Sequence, residues 1–216
     1  MSIIHNLKYI HSAHFIDDLP EDSGFEIAFA GRSNAGKSSA INALANHNRL
    51  AYVSKQPGRT QLINFFQLHH SENFKIVDLP GYGFAKVNID MKKHWDIVLP
   101  HYLQKRQALV GLIIVMDIRH SLTPLDDQMI RWFIPTGKPI HILLTKADKL
   151  SRNQTNQELQ KFKQKLKGCN FEAPISFQSF SSLKKDGLES VEDIFLKWLP
   201  FSGEDIPDRM TKTHPS

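Results

Sequence analysis

Apolar positions along the chain fall into two kinds of pattern. Short apolar runs stand at Phe25-Glu-Ile-Ala-Phe-Ala30, Val110-Gly-Leu-Ile-Ile-Val-Met-Asp117, Pro139-Ile-His-Ile-Leu-Leu144 and Pro174-Ile-Ser-Phe-Gln-Ser179. They read as strands, and the second and third are apolar enough to be covered on both faces of a sheet. Leu62-Ile-Asn-Phe-Phe-Gln-Leu68 and Phe74-Lys-Ile-Val-Asp78 flank the polar tip His69-His-Ser-Glu-Asn73, which predicts an antiparallel hairpin. Between these runs the spacing becomes helical. Helices are predicted over 39–45, over 91–106 with Pro100 expected to kink it, and over 124–133 with Pro124 in the first turn. A polar helix over 157–167 is closed by Gly168, and an amphipathic one over 188–199 presents Leu188, Val191, Ile194, Phe195 and Trp198 on one face.

Strands alternating with helices predict an α/β domain, with a mixed, mostly parallel six-stranded sheet and helices on both faces. The domain is read as residues 25–199. Residues 1–24 form an N-terminal extension lying on it, ending in the turn Asp17-Asp-Leu-Pro-Glu-Asp-Ser23, and 200–216 form a polar, flexible tail.

Composition narrows the class. Of 216 residues, 41% are hydrophobic and 23% charged, which is ordinary for a globular chain. No apolar run approaches the roughly 20 residues of a membrane span, and no leader pattern follows Met1, so stable membrane insertion and secretion are not expected. Cys169 is the single cysteine, which excludes an internal disulfide and suits a reducing cytoplasm. The formal charge of +5 permits contact with RNA or anionic lipid without requiring either.

The chemistry concentrates in Gly31-Arg32-Ser33-Asn34-Ala35-Gly36-Lys37-Ser38, between the first strand and the first helix. This is the G-x-x-x-x-G-K-[ST] pattern in its proper setting of strand, loop and helix. Glycine lets the backbone wrap a phosphate, the loop N–H groups and the helix N-terminus face the anion, Lys37 reaches the β- and γ-phosphates, and the Ser38 hydroxyl is placed for Mg2+. Asp78-Leu79-Pro80-Gly81 ends the third strand, where Asp78 can hold the metal and the Gly81 N–H can meet a γ-phosphate. Thr145-Lys146-Ala147-Asp148 follows the buried 139–144 strand. Asp148 can accept from guanine N1–H and its exocyclic amine, donors that adenine lacks there, so the order of elements favours GTP over ATP. The Lys146 stem can lie along the base. Phe180-Ser181-Ser182 can offer a backbone N–H to guanine O6, and Thr60, in the irregular 50–61 stretch, is one candidate to complete the metal shell when a γ-phosphate is present.

These four elements in this order resemble a translation-factor-class small GTPase. More narrowly, the chain resembles the bacterial EngB (YihA/YsxC) family, of the TrmE-Era-EngA-EngB-septin-like superfamily. The matching words are Gly31-Arg-Ser-Asn-Ala-Gly-Lys-Ser-Ser39, Pro57-Gly-Arg-Thr-Gln61, Asp78-Leu-Pro-Gly-Tyr-Gly83, Thr145-Lys-Ala-Asp148 and Phe180-Ser-Ser-Leu-Lys-Lys185. The resemblance implies a Ras-like P-loop GTPase fold, GTP/GDP with Mg2+, and a role in assembling the large ribosomal subunit, with its rRNA and ribosomal proteins as partners. It also implies a part in normal cell division and septation. A cytoplasmic monomer is expected. Carried over by position, Gly31 to Ser38 hold the phosphates, and Gly58, Arg59, Thr60, Gln61 and Leu62 form the first switch with Thr60 on the metal. Asp78 to Gly81 begin the second switch, and Thr145 to Asp148 with Phe180 to Ser182 hold the base. Ser38, Thr60 and Asp78 form the metal set; Lys37, Thr60 and Gly81 form the catalytic set.

Three departures from the Ras-type pattern bear on mechanism. Tyr82 stands where the water-orienting glutamine of Ras-type enzymes stands, which predicts slow unassisted hydrolysis. Asn34 matches an asparagine that in related GTPases helps hold K+, so potassium-stimulated hydrolysis is expected. Thr145 replaces the commoner asparagine of N-K-x-D, which is expected to loosen a bond back to the phosphate loop. Arg152, Lys161, Lys165 and Lys184 are the candidate rRNA contacts. Trp95, Trp132 and Trp198 read as core or interface. The histidine pairs His11/His14 and His69/His70 read as surface or turn residues. Two other readings stay open: a nucleotide-gated binding module with negligible hydrolysis, and a small P-loop kinase for a metabolite.

Overall fold

The computed structural model describes residues 7–47, 50–51, 62–68, 71–83 and 89–199. Seven strands form one sheet in the order β1-β3-β4-β2-β5-β6-β7. They are β1 (Leu7–Ala13), β2 (Phe25–Gly31), β3 (Ile63–Leu68), β4 (Ser71–Asp78), β5 (Leu109–Asp117), β6 (Ile140–Thr145) and β7 (Ile175–Ser179). β3 pairs antiparallel with β1 and β4, and all other neighbours are parallel. Five α-helices are described: α1 (Lys37–Leu44), α2 (Ile89–Lys105), α3 (Pro124–Phe133), α4 (Arg152–Gly168) and α5 (Leu188–Trp198).

The period-2 alternation of the central strands builds two cores. Ile27 and Phe29 of β2, with Ile113 and Val115 of β5, pack under α1 and α5 against Ile41, Leu44, Val191 and Phe195. Ala28 and Ala30, with Leu112, Ile114 and Met116, face α2, α3 and α4 through Tyr102, Leu103, Ile130, Phe133 and Phe162. Each fully buried Leu, Ile or Phe contributes about 1.5–3 kcal/mol. The parallel strands therefore need apolar residues on both faces, as β5 supplies.

The structure corrects the expected six strands to seven. Residues 7–13 are not an appendage lying on the domain but an edge strand, registered Leu7 against Leu68 and Ala13 against Ile63. Only its ends, Leu7 and Ala13, are buried, so its sequence carries little alternation. β4 begins three residues before the predicted start, at Ser71. α2 continues through Pro100. α4 starts at Arg152, five residues earlier than the apolar pattern indicates, because Ser151 and Gln154 form a capping box ahead of a turn with no buried side chain. Its cap is Cys169, with Gly168 as the last helical residue. Pro124 opens α3 as predicted, behind a Thr123/Asp126 capping box. All three tryptophans pack against the cores. No helix among the described residues is long and apolar enough to cross a membrane.

Candidate functional site

β2 ends at Gly31, which pairs with Val115 of β5. A Cβ on Gly31 would stand 2.7 Å from the Val115 carbonyl oxygen, so the close strand contact demands glycine. The chain then turns through Asn34 (φ 65°) and Gly36 (φ 99°), with the Ala35 N–H donating to the Arg32 carbonyl at 3.0 Å. Gly36 caps α1, so the first helical residues are Lys37 and Ser38. Lys37 turns inward, and its ammonium pairs with Asp78 at the end of β4. Both side chains are nearly buried, 7% and 2% exposed. Ser38 is half-buried beside them.

The 79–82 segment is laced to this loop. Leu79 N–H donates to the Phe29 carbonyl at 2.9 Å, Tyr82 N–H to the Gly31 carbonyl at 3.2 Å, and Ser33 N–H to the Tyr82 carbonyl at 3.2 Å. These bonds bring Asp78 and Gly81 to the same sheet end as Gly31–Ser38. The Tyr82 hydroxyl donates to Asp126 Oδ1 of α3 at 2.8 Å. Burial and the neighbouring carboxylate push its pKa up. Tyr82 is thus committed to α3.

The turn after β6 meets the same loop from the other side. Thr145 Oγ1 donates to the Ala35 carbonyl at 2.5 Å and lies 3.0 Å from the Met116 carbonyl. The expectation that threonine would loosen the link to the loop is therefore corrected: the shorter side chain reaches because Thr145, the last residue of β6, abuts the loop. Lys146, at a left-handed φ of 62°, donates to the Asn34 carbonyl at 2.7 Å. Asp148, whose side chain is 9% exposed, accepts from Ser181 Oγ at 2.7 Å. Phe180 N–H donates to the Leu144 carbonyl at 2.9 Å, and Ala147 N–H to the Phe180 carbonyl at 3.2 Å. The Phe180 ring is buried in the α1/α5 core, so only its backbone faces the turn. Ser182 is half-buried and lines a cleft of about 240 Å3 with Ser39, Asn42, Asn46 and Lys185.

Gly31 through Ser38, Asp78 through Gly81, Thr145 through Asp148 and Phe180 through Ser182 are therefore gathered at the carboxyl ends of β2, β4, β6 and β7. Leu62 is exposed just before β3, while Gly58, Arg59, Thr60 and Gln61 lie outside the described residues.

Two features escaped the sequence. Asp117, ending β5, accepts from Lys146 Nζ at 2.9 Å and from Arg119 Nε and Nη2 at 2.9 and 2.7 Å. Burial raises the Asp117 pKa, but hydrogen bonds from Arg119 and Lys146 outweigh it and hold the carboxyl well below the usual carboxylate range. Its position at the carboxyl end of an apolar strand, like that of Asp78, was the available signal. Asn42 of α1 exchanges two hydrogen bonds with the Ala51 backbone, at 2.9 and 2.7 Å. Nothing in its helical spacing marks that role.

Residues 26–146 match the family model described as "50S ribosome-binding GTPase". The chain is 56% identical to the "Probable GTP-binding protein EngB" of Methylobacillus flagellatus, over 96% of this chain and 99% of that one. It is 54% identical to the protein of the same name from Aromatoleum aromaticum, over 96% and 94%. A crystal structure of a probable GTP-binding protein EngB shares the fold at a TM-score of 0.62 and 22% identity, covering 80% of this chain and 97% of that chain.

Proposed function

The chain belongs to the EngB family of GTP-binding proteins, and on that premise we propose that it is a Mg2+-dependent GTPase switch acting in assembly of the large ribosomal subunit. The observation that carries this reading is the joining of two recognition elements. Lys146 and Thr145, beside the guanine-reading Asp148, both bond to carbonyls of the Gly31–Ser38 loop. One nucleotide spanning that junction places its phosphates on the loop and its purine on the turn.

In this reading Gly31–Ser38 wrap the phosphates with backbone N–H groups, and Lys37 leaves Asp78 for the β- and γ-phosphates. Asp148 accepts from guanine and is itself oriented by Ser181. The donor set of one serine hydroxyl and one carboxylate, Ser38 and Asp78, is hard oxygen and fits Mg2+; these residues would hold the ion, which would supply charge neutralisation for the phosphates. Lys37 stabilises charge on the transferring phosphoryl group, and the Gly81 N–H senses the terminal phosphate. Thr60 would complete the metal shell, and residues 58–62 and those after 81 would respond to the terminal phosphate as switches. The exposed Asn34 side chain is the candidate contact for K+.

The family model's description supports a ribosomal partner. So does α4, where exposed Arg152, Lys161 and Lys165 present positive charge suited to rRNA phosphates, with exposed Lys184 nearby in sequence to the base-reading loop. The family resemblance extends the role to normal cell division and septation, and to a cytoplasmic monomer. The Tyr82–Asp126 bond favours a second reading, a nucleotide-gated binding module whose hydrolysis is negligible without its partner.

Co-sedimentation with large ribosomal subunits, with and without a non-hydrolysable GTP analogue, tests the proposal beside Lys37→Ala. Analogue-dependent binding of the wild type alone supports it, and nucleotide-independent binding of both contradicts it. Single-turnover hydrolysis with and without subunits separates the two readings.

A further inference from the structure

Asp117 and Arg119 belong to none of the four nucleotide motifs, yet they stand against the base-reading lysine. Asp117 is the register partner of Thr145 across β5 and β6, so its carboxylate emerges next to residue 146. Lys146 Nζ is shared between Asp117 Oδ2 at 2.9 Å and the Asn34 carbonyl at 2.7 Å. Arg119 grips the same carboxylate through Nε at 2.9 Å, Nη2 at 2.7 Å and its backbone N–H at 3.1 Å. Asp117 therefore has its charge answered from two sides, and Lys146 has its ammonium fixed at two points.

We propose that Asp117, braced by Arg119, is a positioning residue for guanine-nucleotide retention, holding the Lys146 stem flat as the floor on which the purine lies. The inference rests on the GTP-binding reading above. A lysine stem is flexible, and ordering it on a ligand costs side-chain entropy at the moment of binding. Here the ordering is already done: both ends of the stem are fixed, its backbone by the left-handed turn at φ 62° and its ammonium by Asp117 and Asn34. The same ammonium ties the base-reading turn to the phosphate loop, so releasing it from Asp117 loosens both halves of the site. Arg119, whose side chain is 42% exposed, makes its hydrogen bonds to the Asp117 carboxylate and so keeps it in place, and its charge also reaches Asp148. An ion-pair cluster that merely finished β5 would stabilise the fold without changing nucleotide lifetime.

The test is the dissociation rate of a fluorescent GDP analogue from the full chain, for wild type, Asp117→Ala, Lys146→Met, the double variant and Arg119→Gln. Loss of a charge-assisted bond to the clamped lysine should speed release from Asp117→Ala by about tenfold. Because Asp117 acts through Lys146, the double variant should release no faster than the faster single variant. Arg119→Gln, a change at a half-exposed side chain, should speed release about threefold. Wild-type release from Asp117→Ala, or effects of Asp117→Ala and Lys146→Met that multiply, overturns the inference. Should Asp117→Ala not fold, Arg119→Gln decides alone, by faster release for the inference or unchanged release against it. A wild type that retains no GDP analogue overturns the GTP-binding reading itself, and this inference falls with it.

Discussion

The Thr145 hydroxyl donates to the Ala35 carbonyl at 2.5 Å, fastening the turn that carries Asp148 to the loop that carries Lys37. Thr145 is 2% exposed, so neither oxygen of the bond has a water alternative. Thr145→Val keeps the shape and removes the donor. Leaving the buried carbonyl unpaired should cost about 1–3 kcal/mol of stability and shorten the lifetime of bound GDP, while Thr145→Ser should behave as wild type. Urea denaturation together with GDP off-rates checks this, and a valine variant with wild-type off-rate would show the hydroxyl to be idle in binding.

Lys37 and Asp78 answer each other's charge with both side chains nearly buried. Removing one partner leaves a buried charge, so Lys37→Met should destabilise the nucleotide-free protein by about 3 kcal/mol. Adding Asp78→Asn to Lys37→Met should recover most of that loss, because the stranded charge is gone. Equilibrium unfolding of the two single variants and the double forms the cycle. Purely additive losses would contradict the pairing.

Tyr82 directs its hydroxyl to Asp126, which also caps α3 by accepting from Thr123 N–H and Oγ1, both at 2.8 Å. Tyr82→Phe should therefore lower stability by about 1 kcal/mol and leave single-turnover GTP hydrolysis without ribosomal subunits unchanged. Asp126→Ala, which also loses the helix cap, should cost more. A hydrolysis rate that collapses in Tyr82→Phe would place the hydroxyl in the chemistry.

His141 lies 3% exposed between β6 and β7, within 2.7 Å of Ser176 Oγ and 3.1 Å of Gln178 Oε1. Gln178 uses its own N–H on the Gly187 carbonyl, so its oxygen faces the ring as an acceptor and His141 Nε2–H donates to it. Burial pulls the His141 pKa down to about 4, against a small upward pull from Gln178. The unfolded chain binds this proton near its ordinary pKa of about 6.5, while the native state does not until about pH 4. Its neutral native form therefore favours folding above about pH 6.5, and that advantage falls away as pH drops toward 4, by up to about 3 kcal/mol. Denaturation midpoints across that window should fall more steeply for the wild type than for His141→Gln. Parallel slopes would contradict the assignment.

What the sequence disclosed and what it withheld divide along one line. The Gly31–Ser38 loop, Asp78–Gly81 and Thr145–Asp148 were legible because each is a local pattern whose chemistry depends on residues within a few positions. The central strands were legible because burial on both faces writes apolar runs. β1 stayed hidden because an edge strand with only its two ends buried leaves almost no alternation, and its partner is fifty or more residues away. The first turn of α4 stayed hidden because it faces solvent and only its Ser151 cap announces it. Thr145's bond to the loop, and the hold of Asp117 on Lys146, depend on the register of β5 against β6, which aligns Asp117 with Thr145 and which no local spacing encodes.

Base selectivity tests the account most directly. Guanine offers Asp148 two donors, whereas xanthine carries a carbonyl in place of the exocyclic amine and so suits an amide side chain. Titration of the nucleotide-free protein with GDP, XDP and ADP should give tight binding of GDP alone by the wild type, and Asp148→Asn should prefer XDP to GDP. Equal uptake of ADP and GDP by the wild type, or a preference unmoved by Asp148→Asn, would contradict it.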